Sequence, residues 1–238
     1  MRQLIDAALE LSQRCTEIAP KIGSPLEWVY NPLDYAWDVH ESYLSRFGGL
    51  GANTILLGMN PGPWGMGQTG VPFGDVVKVV EYLGLEGKVG TPDITHPKRP
   101  VIGLESTRRE VSGSRLWSLI EDIYGDAKEA HRNLFVVNHC PLLMFDSAGR
   151  NLTPDKLRAA PAKEMLAACD KHLEMVAEAL SAERVVGVGA YAEKRALGVF
   201  ETTGLEVLRI PHPSPANPFS NRNGGADWRT ACSDVLGI

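Results

Sequence analysis

The sequence predicts an α/β fold of three layers, in which helices cover both faces of a central, mainly parallel, four-stranded sheet. The first observation is a set of four short apolar runs without polar alternation, which is typical of strands buried on both faces. These runs occupy residues 53–59, 134–139, 184–189 and 205–210. The second observation is that segments with helical periodicity separate the runs, and this alternation favours a parallel sheet.

Helical spacing of apolar residues marks the segments between these runs. The first predicted helix covers residues 2–18, and its apolar face includes Leu4, Leu11 and Cys15. No linker, repeat or shift in composition interrupts the chain, and we therefore expect one domain over residues 1–238. The other predicted helices cover residues 75–83, 114–124, 162–180, 191–200 and 227–236.

The composition excludes several classes of protein. Hydrophobic residues make up 44% of the chain, which is enough for a core without disulfides or metals. No apolar run approaches the roughly 18 residues of a membrane helix, and the N-terminus lacks the apolar stretch of a secretory signal. We expect a monomer that is neither secreted nor bound to a membrane, in the cytoplasm of a bacterium or the nucleus of a eukaryote.

The spacing of the cysteines predicts a protein without bound metal. The four cysteines form no C-x-x-C pair, and no cluster has zinc-ligand spacing, so we expect buried free thiols and neither a metal nor a cofactor.

The net charge of −5 disfavours bulk binding to nucleic acid. It is compatible with a local basic face, because binding depends on contacts with a few phosphates. Basic residues cluster around residues 96–115 and again around 209–229.

Polar side chains stand where three of the four predicted strands end. Asn60 follows the first strand, Asn138 and His139 end the second, and His212 follows the fourth, each of them close to prolines. Ligands of open parallel sheets bind at the carboxyl ends of the strands. The sequence therefore predicts that two asparagines and two histidines meet at one ligand-binding edge.

A long loop rich in glycine and proline follows the first strand, over residues 58–75. A loop of this length inside a compact domain is usually functional. It combines polar side chains, among them Gln68 and Thr69, with the rings of Trp64 and Phe73. This mixture favours a pocket for a flat polar ring, where an aromatic side chain stacks on the ring and an amide reads its edge.

Four motifs together resemble the single-strand-selective monofunctional uracil-DNA glycosylases, which are family 3 of the uracil-DNA glycosylase superfamily. The longest and most specific motif is GMNPGPWGMGQTGVPFG at residues 58–74. The others are EVSG at 110–113, VVNHCPLL at 136–143 and HPSPANP at 212–218. The resemblance implies the fold of that superfamily for most of the chain.

The resemblance also implies a role for each residue of these motifs. Asn60 would position the attacking water, and His212 would donate a hydrogen bond to O2 of the departing base. Gly62 would leave room at C5, and Asn138 would read O4 and N3. The base would be held by Met59, Gly62, Met66, Phe73 and Asn138. The loop after His212 would wedge into DNA through Ser214, Pro215, Asn217, Phe219 and Arg222.

The implied function is DNA base-excision repair. The enzyme would hydrolyse the N-glycosidic bond of uracil, 5-hydroxymethyluracil and deaminated purines in single- and double-stranded DNA, and leave an abasic site. The residue types agree with this chemistry, because a histidine donor stabilises a leaving anion and an asparagine orients water without acting as a base. The three loops contain no lysine for lyase chemistry, so a monofunctional enzyme is expected.

One position departs from the family pattern. The last motif usually resembles H-P-S-P-R-N-P, but Ala216 stands where the arginine is expected. Alanine neither fills the gap left by a flipped base nor contacts phosphate. Two compensations are open: Phe219 as an apolar wedge, or Arg222 as the phosphate contact.

Two other functions compete with this interpretation. Residues 187–192 read GVGAYA, which fits the G-x-G-x-x-A turn of dinucleotide-binding domains. The acidic residue that this motif needs at the end of the next strand is missing, because Glu206 lies near the start of that strand. A non-catalytic binder of damaged DNA is disfavoured by the presence of both Asn60 and His212.

Overall fold

The central sheet contains four parallel strands and confirms the predicted fold class. A computed structural model describes residues 1–237, and its strands β1 to β7 in chain order are Trp28–Tyr30, Thr54–Gly58, Leu134–Asn138, Leu143–Phe145, Asn151–Leu152, Arg184–Val188 and Glu206–Ile210. Strands β3, β2, β6 and β7 lie side by side in that order, and every neighbouring pair is parallel. Their carboxyl ends therefore share one edge of the sheet.

Most of the predicted helices are confirmed. Helices α1 to α9 in chain order are Arg2–Ile18, Pro32–Tyr35, Trp37–Phe47, Met66–Thr69, Val111–Tyr124, Ala127–Asn133, Ala160–Leu180, Ala190–Val199 and Ala226–Leu236. The prediction over residues 75–83 differs from the structure, because Lys78–Tyr82 form a short π-helix. In it the N–H of Leu83 donates to the C=O of Lys78 at 2.9 Å.

Burial differs between β7 and the other strands of the parallel sheet. Every residue of β2 and β3 is buried, as the unbroken apolar runs predicted. The same expectation was wrong for β7, where Glu206 and Arg209 are exposed and only Ile210 is buried. Both β3 and β7 are edge strands. The side chain of Tyr43 from α3 covers the open side of β3, whereas β7 pairs with β6 and keeps Glu206 and Arg209 exposed.

A second sheet was not predicted from the sequence. It pairs β4 with β1 and with β5, both in antiparallel fashion. Its strands have two or three residues, which is too short for an alternating pattern to be visible. A Cβ on Gly67 of α4 would lie 2.7 Å from the side chain of Leu143 in β4. This sheet therefore supports the long loop that follows β2.

The interior contains the expected free thiols. Cys15, Cys140, Cys169 and Cys232 are all buried and unbridged. Cys169 lies close enough to hydrogen-bond to Cys140 and to Cys15, and these contacts, followed by burial, raise the pKa of Cys169. Across residues 1–237, no helix combines the length and the hydropathy needed to span a bilayer.

A tyrosine on α3 satisfies the open side of β3, which is an edge strand. The hydroxyl of Tyr43 donates to the C=O of Val136 at 2.9 Å and accepts from its N–H at 3.2 Å. Both partners are fully buried. One side chain thus replaces the missing neighbour strand at this position.

We expect Tyr43→Phe to lower the free energy of unfolding by about 1–3 kcal/mol, because both backbone groups of Val136 lose their partner in the interior. Urea denaturation measures the difference. Tyr82→Phe is the matched control, since the Tyr82 hydroxyl is buried without a hydrogen-bond partner among the described residues. An equal loss of stability in both variants would contradict the role assigned to Tyr43.

Candidate active site

The parallel register brings the ends of β2 and β3 together, as the sequence predicted. Gly58 lies opposite Asn138. Two backbone hydrogen bonds extend the pairing beyond the strands: His139 N–H to Gly58 C=O at 3.0 Å, and Cys140 N–H to Met59 C=O at 2.9 Å. The motifs at residues 58–74 and 136–143 therefore lie side by side at the carboxyl edge.

The absence of a side chain at Gly58 allows Asn138 and Phe73 to approach each other. A Cβ on Gly58 would lie 2.1 Å from Asn138 Oδ1 and 2.6 Å from Phe73 Cε2, distances that Cβ atoms do not tolerate. An amide and an aromatic ring thus pack over bare backbone at the end of β2.

Phe73 is held in an unusual conformation. Its φ of +52° lies in the left-handed region, which is costly for a bulky residue. The start of α5 packs against its carbonyl, since a Cβ on Gly113 would lie 1.9 Å from Phe73 O. The Phe73 ring lies 6.2 Å from the imidazole of His212, centroid to centroid, at 44°. Strain that the surroundings maintain in this way is typical of functional sites.

The imidazole of His212 is oriented by the backbone that follows it. The N–H of Ser214 donates to Nδ1 of His212 at 3.1 Å, so the neutral ring carries its proton on Nε2. Burial lowers the pKa of His212 below its usual value of 6.5. Gly189 packs against this residue, since a Cβ there would lie 3.3 Å from His212 Cβ. His212 is thus a neutral hydrogen-bond donor at the carboxyl edge of the sheet.

Asn138 and Met66 contact each other directly. The amide nitrogen of Asn138 donates to Met66 Sδ at 3.2 Å, and both residues are buried. A sulfur atom is a weak acceptor, so a better acceptor can displace it at little cost. Both residues line a cavity of about 30 Å³, whose other walls are mostly apolar, with His40, Tyr43 and His172 as exceptions.

Asn60 makes only long contacts to the protein. Its amide nitrogen lies 3.4 Å from the C=O of Leu142 and 3.5 Å from that of Pro61. The side chain is half-buried at the start of the loop. This orientation leaves Oδ1 free to accept a hydrogen bond from water.

Gln68 does not contribute to the pocket, contrary to what its place in the loop suggested. Its buried amide donates to the C=O of Pro63 at 2.8 Å and of Pro100 at 3.0 Å. Its oxygen accepts from the N–H groups of Ile102 at 2.7 Å and Gly103 at 3.1 Å. Three of these four hydrogen bonds tie the loop after β2 to the segment at residues 100–103, and the fourth lies within the loop.

Glu110 is a structural residue that the sequence reasoning did not single out. Its carboxylate caps α5 by accepting from the N–H groups of Ser112 and Gly113, and burial raises its pKa. A Cβ on Gly65 would lie 2.7 Å from Glu110 Cγ. A carboxylate at the N-terminus of a helix is favourable, because the first N–H groups lack partners within the helix, and this is a local signal in the sequence. Its contact with the glycine loop is a long-range feature without such a signal.

The loop after His212 is braced from inside. Asn217 donates from Nδ2 to the C=O of His212 at 2.9 Å and accepts the N–H of Phe219 at Oδ1. Arg115 of α5 donates to the C=O of Pro213 at 2.9 Å and to Ser220 Oγ at 3.1 Å. The start of α5 therefore lies between the two functional loops.

The outer part of this loop presents different side chains from those expected. Pro215 and Ala216 are exposed at its tip, whereas Phe219 is half-buried and packs against the main core. The guanidinium of Arg222 lies 5.5 Å from the Phe219 ring. Of the two compensations for Ala216, only Arg222 is exposed in this conformation. Ser214 accepts the N–H of Ala216 at Oγ and shapes the turn.

His139 lies at the same edge but faces a separate network. Its Nε2 donates to Asp170 at 2.9 Å, and its Nδ1 accepts from the Tyr191 hydroxyl at 3.0 Å. Asp170 also pairs with Arg195 of α8. This histidine therefore fastens the strand end to α7 and α8. In residues 1–237, no three His, Cys, Asp or Glu side chains form a group that could hold a metal ion.

The turn that resembled a dinucleotide site serves packing within the protein. A Cβ on Gly187 would lie 2.3 Å from the backbone nitrogen of Glu193. Gly189, with φ of +92°, lies against His212. Both glycines are therefore required by the tight connection between β6 and α8.

Together the fold and the site place an aromatic ring beside an amide and a neutral imidazole at the carboxyl edge of a parallel sheet. A family model described as the uracil DNA glycosylase superfamily matches residues 45–235. The chain belongs to the uracil-DNA glycosylase superfamily.

Its relatives lie in the branch that the four motifs resembled, which confirms that resemblance. A rat single-strand selective monofunctional uracil-DNA glycosylase is 43% identical over 98% of this chain and 82% of its own length. Its counterpart in Bos taurus is 45% identical over 87% of this chain and 76% of its own. The crystal structure of SMUG2 from Pedobacter heparinus shares the fold, with a TM-score of 0.64, 14% identity and 95% coverage of each chain.

We expect Gly58→Ala to lower the free energy of unfolding by about 1–3 kcal/mol, because its Cβ overlaps Asn138 and Phe73. Chemical denaturation measures this change. Gly198→Ala in α8 is the matched control: a Cβ there meets nothing within 4 Å, and alanine favours the helix. If both variants keep or gain stability, the close approach at residue 58 is not a constraint.

Proposed function

We propose that this protein removes uracil from DNA by hydrolysing the bond between C1′ of the sugar and N1 of the base. The observation that carries the proposal is the neutral His212, whose Nε2 proton is free to donate beside Phe73. Bond cleavage releases the base as an anion and leaves a cationic sugar. Water adds its oxygen to C1′, and a proton from that water neutralises the base.

His212 stabilises the negative charge that develops on O2 of the base. A donor that is already oriented by the Ser214 N–H needs no rearrangement as the charge builds. Because burial lowers its pKa, the ring is neutral at pH 7 and retains its proton on Nε2. The ring therefore acts as a hydrogen-bond donor and not as a general acid.

Asn60 positions the attacking water through its free Oδ1. An amide cannot accept a proton at neutral pH, so this residue orients the water without activating it as a base. The cationic character of the sugar makes a weak nucleophile sufficient. No lysine lies in the three loops, which supports a monofunctional reaction that ends at the abasic site.

Asn138 selects uracil over cytosine. Its amide donates to O4 and accepts from N3–H, whereas cytosine presents the opposite pattern at both positions. The amide proton now given to Met66 Sδ is available to O4, which is the stronger acceptor. Phe73 provides the face on which the ring stacks, and Met59 and Met66 line the pocket.

We further propose that Gly62 admits substituents at C5, such as that of 5-hydroxymethyluracil. A Cβ on Gly62 would meet only the Glu110 side chain, at ordinary distances of 3.6 Å or more. Packing within the protein therefore does not require glycine here, unlike at Gly58. Space for a ligand explains why residue 62 is a glycine. The same space is the reason to propose deaminated purines, which are larger bases, as further substrates.

The DNA contacts are assigned to the loop after His212. Ser214, Pro215 and Asn217 shape the part that meets the strand, and Arg222 supplies an exposed positive charge. We propose that the protein acts as a monomer on both single- and double-stranded DNA. The relatives are named single-strand selective, and the alanine at position 216 supports the same preference, because only a duplex must be unpaired.

The experiment that tests this function is a single-turnover assay on oligonucleotides that contain one lesion each. Uracil, 5-hydroxymethyluracil and hypoxanthine are compared in single strands and duplexes, and alkali reveals the abasic sites. We expect excision of uracil in both contexts. Intact uracil substrates after prolonged incubation would overturn the proposal.

Replacement of either catalytic residue should slow the chemical step while the fold survives. His212→Ala removes one donor to the developing anion, which lowers the single-turnover rate by about 100- to 1,000-fold. Asn60→Ala also slows the reaction but leaves binding to DNA intact. Asn133→Ala is the matched control, because this exposed asparagine ends α6 at the opposite edge of the sheet. A wild-type rate for His212→Ala would refute the assignment.

A further inference from the structure

A cation and an aromatic ring form a stacked pair between the loop after β2 and the segment before α5. The guanidinium of Arg108 lies 4.1 Å from the centroid of the Trp64 ring. Trp64 is half-buried in the loop after β2, two residues beyond Gly62, and Arg108 is exposed in the segment before α5. We call this pair the Trp64–Arg108 platform.

Arg108 differs from the neighbouring arginines, which are committed to the protein. Arg109 pairs with the buried Asp75 at 2.8 Å, and Arg115 donates to the loop after His212. Arg108 forms no ion pair with a carboxylate in residues 1–237. In a chain with a net charge of −5, this is an uncompensated positive charge beside the proposed active site.

Both members of the platform stand on rigid supports. Gly65, next to Trp64, packs on Glu110, whose carboxylate caps α5 two residues after Arg108. Gln68 joins Pro63 to the segment that leads to Arg108. The platform is therefore preorganised in the free protein, and a ligand does not have to order it.

This combination of groups matches the requirements of an unpaired nucleotide. Aromatic rings and guanidinium planes both accept a stacked base, and any base has such a face. The guanidinium also attracts the adjacent phosphate. A base in a duplex is already stacked and paired, so only a single strand offers its face without a cost for unpairing.

We propose that the Trp64–Arg108 platform binds the base next to the excised one in a single strand. This inference rests on the proposed function and adds a second, sequence-independent subsite to it. The start of α5 contacts both parts: Glu110 packs against Gly65 beside the platform, and Arg115 donates to Pro213 in the loop after His212. In this arrangement one neighbour of the excised base lies on the platform and the other lies near the exposed Pro215 and Ala216.

A binding cycle between protein and DNA tests the platform. The probe is a fluorescein-labelled single strand with 2′-fluoro-2′-deoxyuridine, which resists cleavage, and its flanking nucleotide carries either a base or none. Removing the base on one side should weaken wild-type binding about 5- to 150-fold. Trp64→Ala should show the same loss with the intact strand and no further loss when the base is removed.

Two variants control for damage to the loop and for unspecific charge. Trp64→Phe retains a stacking face and should restore the dependence on the flanking base.

Arg108→Ala should reduce the salt slope of binding by about 0.7, as expected for one contact to single-strand phosphate. Arg132→Ala, which removes an equal charge from α6 at the opposite edge, should leave the slope unchanged.

The results separate this inference from the proposed function. If Trp64→Ala and removal of the flanking base act independently, their losses of binding affinity multiply. This result on both the 5′ and 3′ sides would overturn the platform. Cleavage of a normal uracil strand by the wild-type protein is measured in parallel. If the strand is cleaved but Trp64→Ala and base removal act independently, only the platform is wrong. If their effects depend on each other but the strand is not cleaved, the proposed function is wrong and the binding site at Trp64 and Arg108 remains.

Discussion

The pocket depends on glycine at position 58, where the absence of a side chain allows close packing. Gly58 ends the second strand, and any Cβ there would overlap Asn138 and Phe73. Its bare backbone lets the Asn138 amide and the Phe73 ring, which we propose to bind the base, pack over the same residue. Phe73 then accepts a strained φ, which the contact of Gly113 with its carbonyl maintains. Close packing at one residue thus fixes the geometry of two motifs that are far apart in the sequence.

The electrostatics of the site follow from the same packing. Burial makes a charged imidazole unfavourable, and the Ser214 N–H decides which nitrogen of His212 keeps the proton. The imidazole is therefore neutral, with its proton on Nε2. In the proposed reaction this donor is already oriented when negative charge develops on the leaving base, which is the condition for catalysis by a preorganised donor.

The sequence predicts the central sheet and the place of the site because these features leave local signals. Buried runs such as residues 134–139 mark strands, and Asn60, Asn138 and His212 follow from the rule for strand ends. Other features depend on contacts between distant segments. Gly58 looks like any glycine until Phe73 packs on it, and Gln68 looks like a pocket amide until its four backbone partners are known.

Nitrogen-15 NMR of the His212 imidazole most directly tests whether a neutral, preoriented donor faces the base. The signal is assigned by its loss in His212→Gln and followed from pH 8 downward. At pH 7 the ring should be neutral with its proton on Nε2, and it should titrate below its ordinary pKa of 6.5 because burial disfavours the charged form. An imidazolium at pH 7, or a proton on Nδ1, would contradict the account.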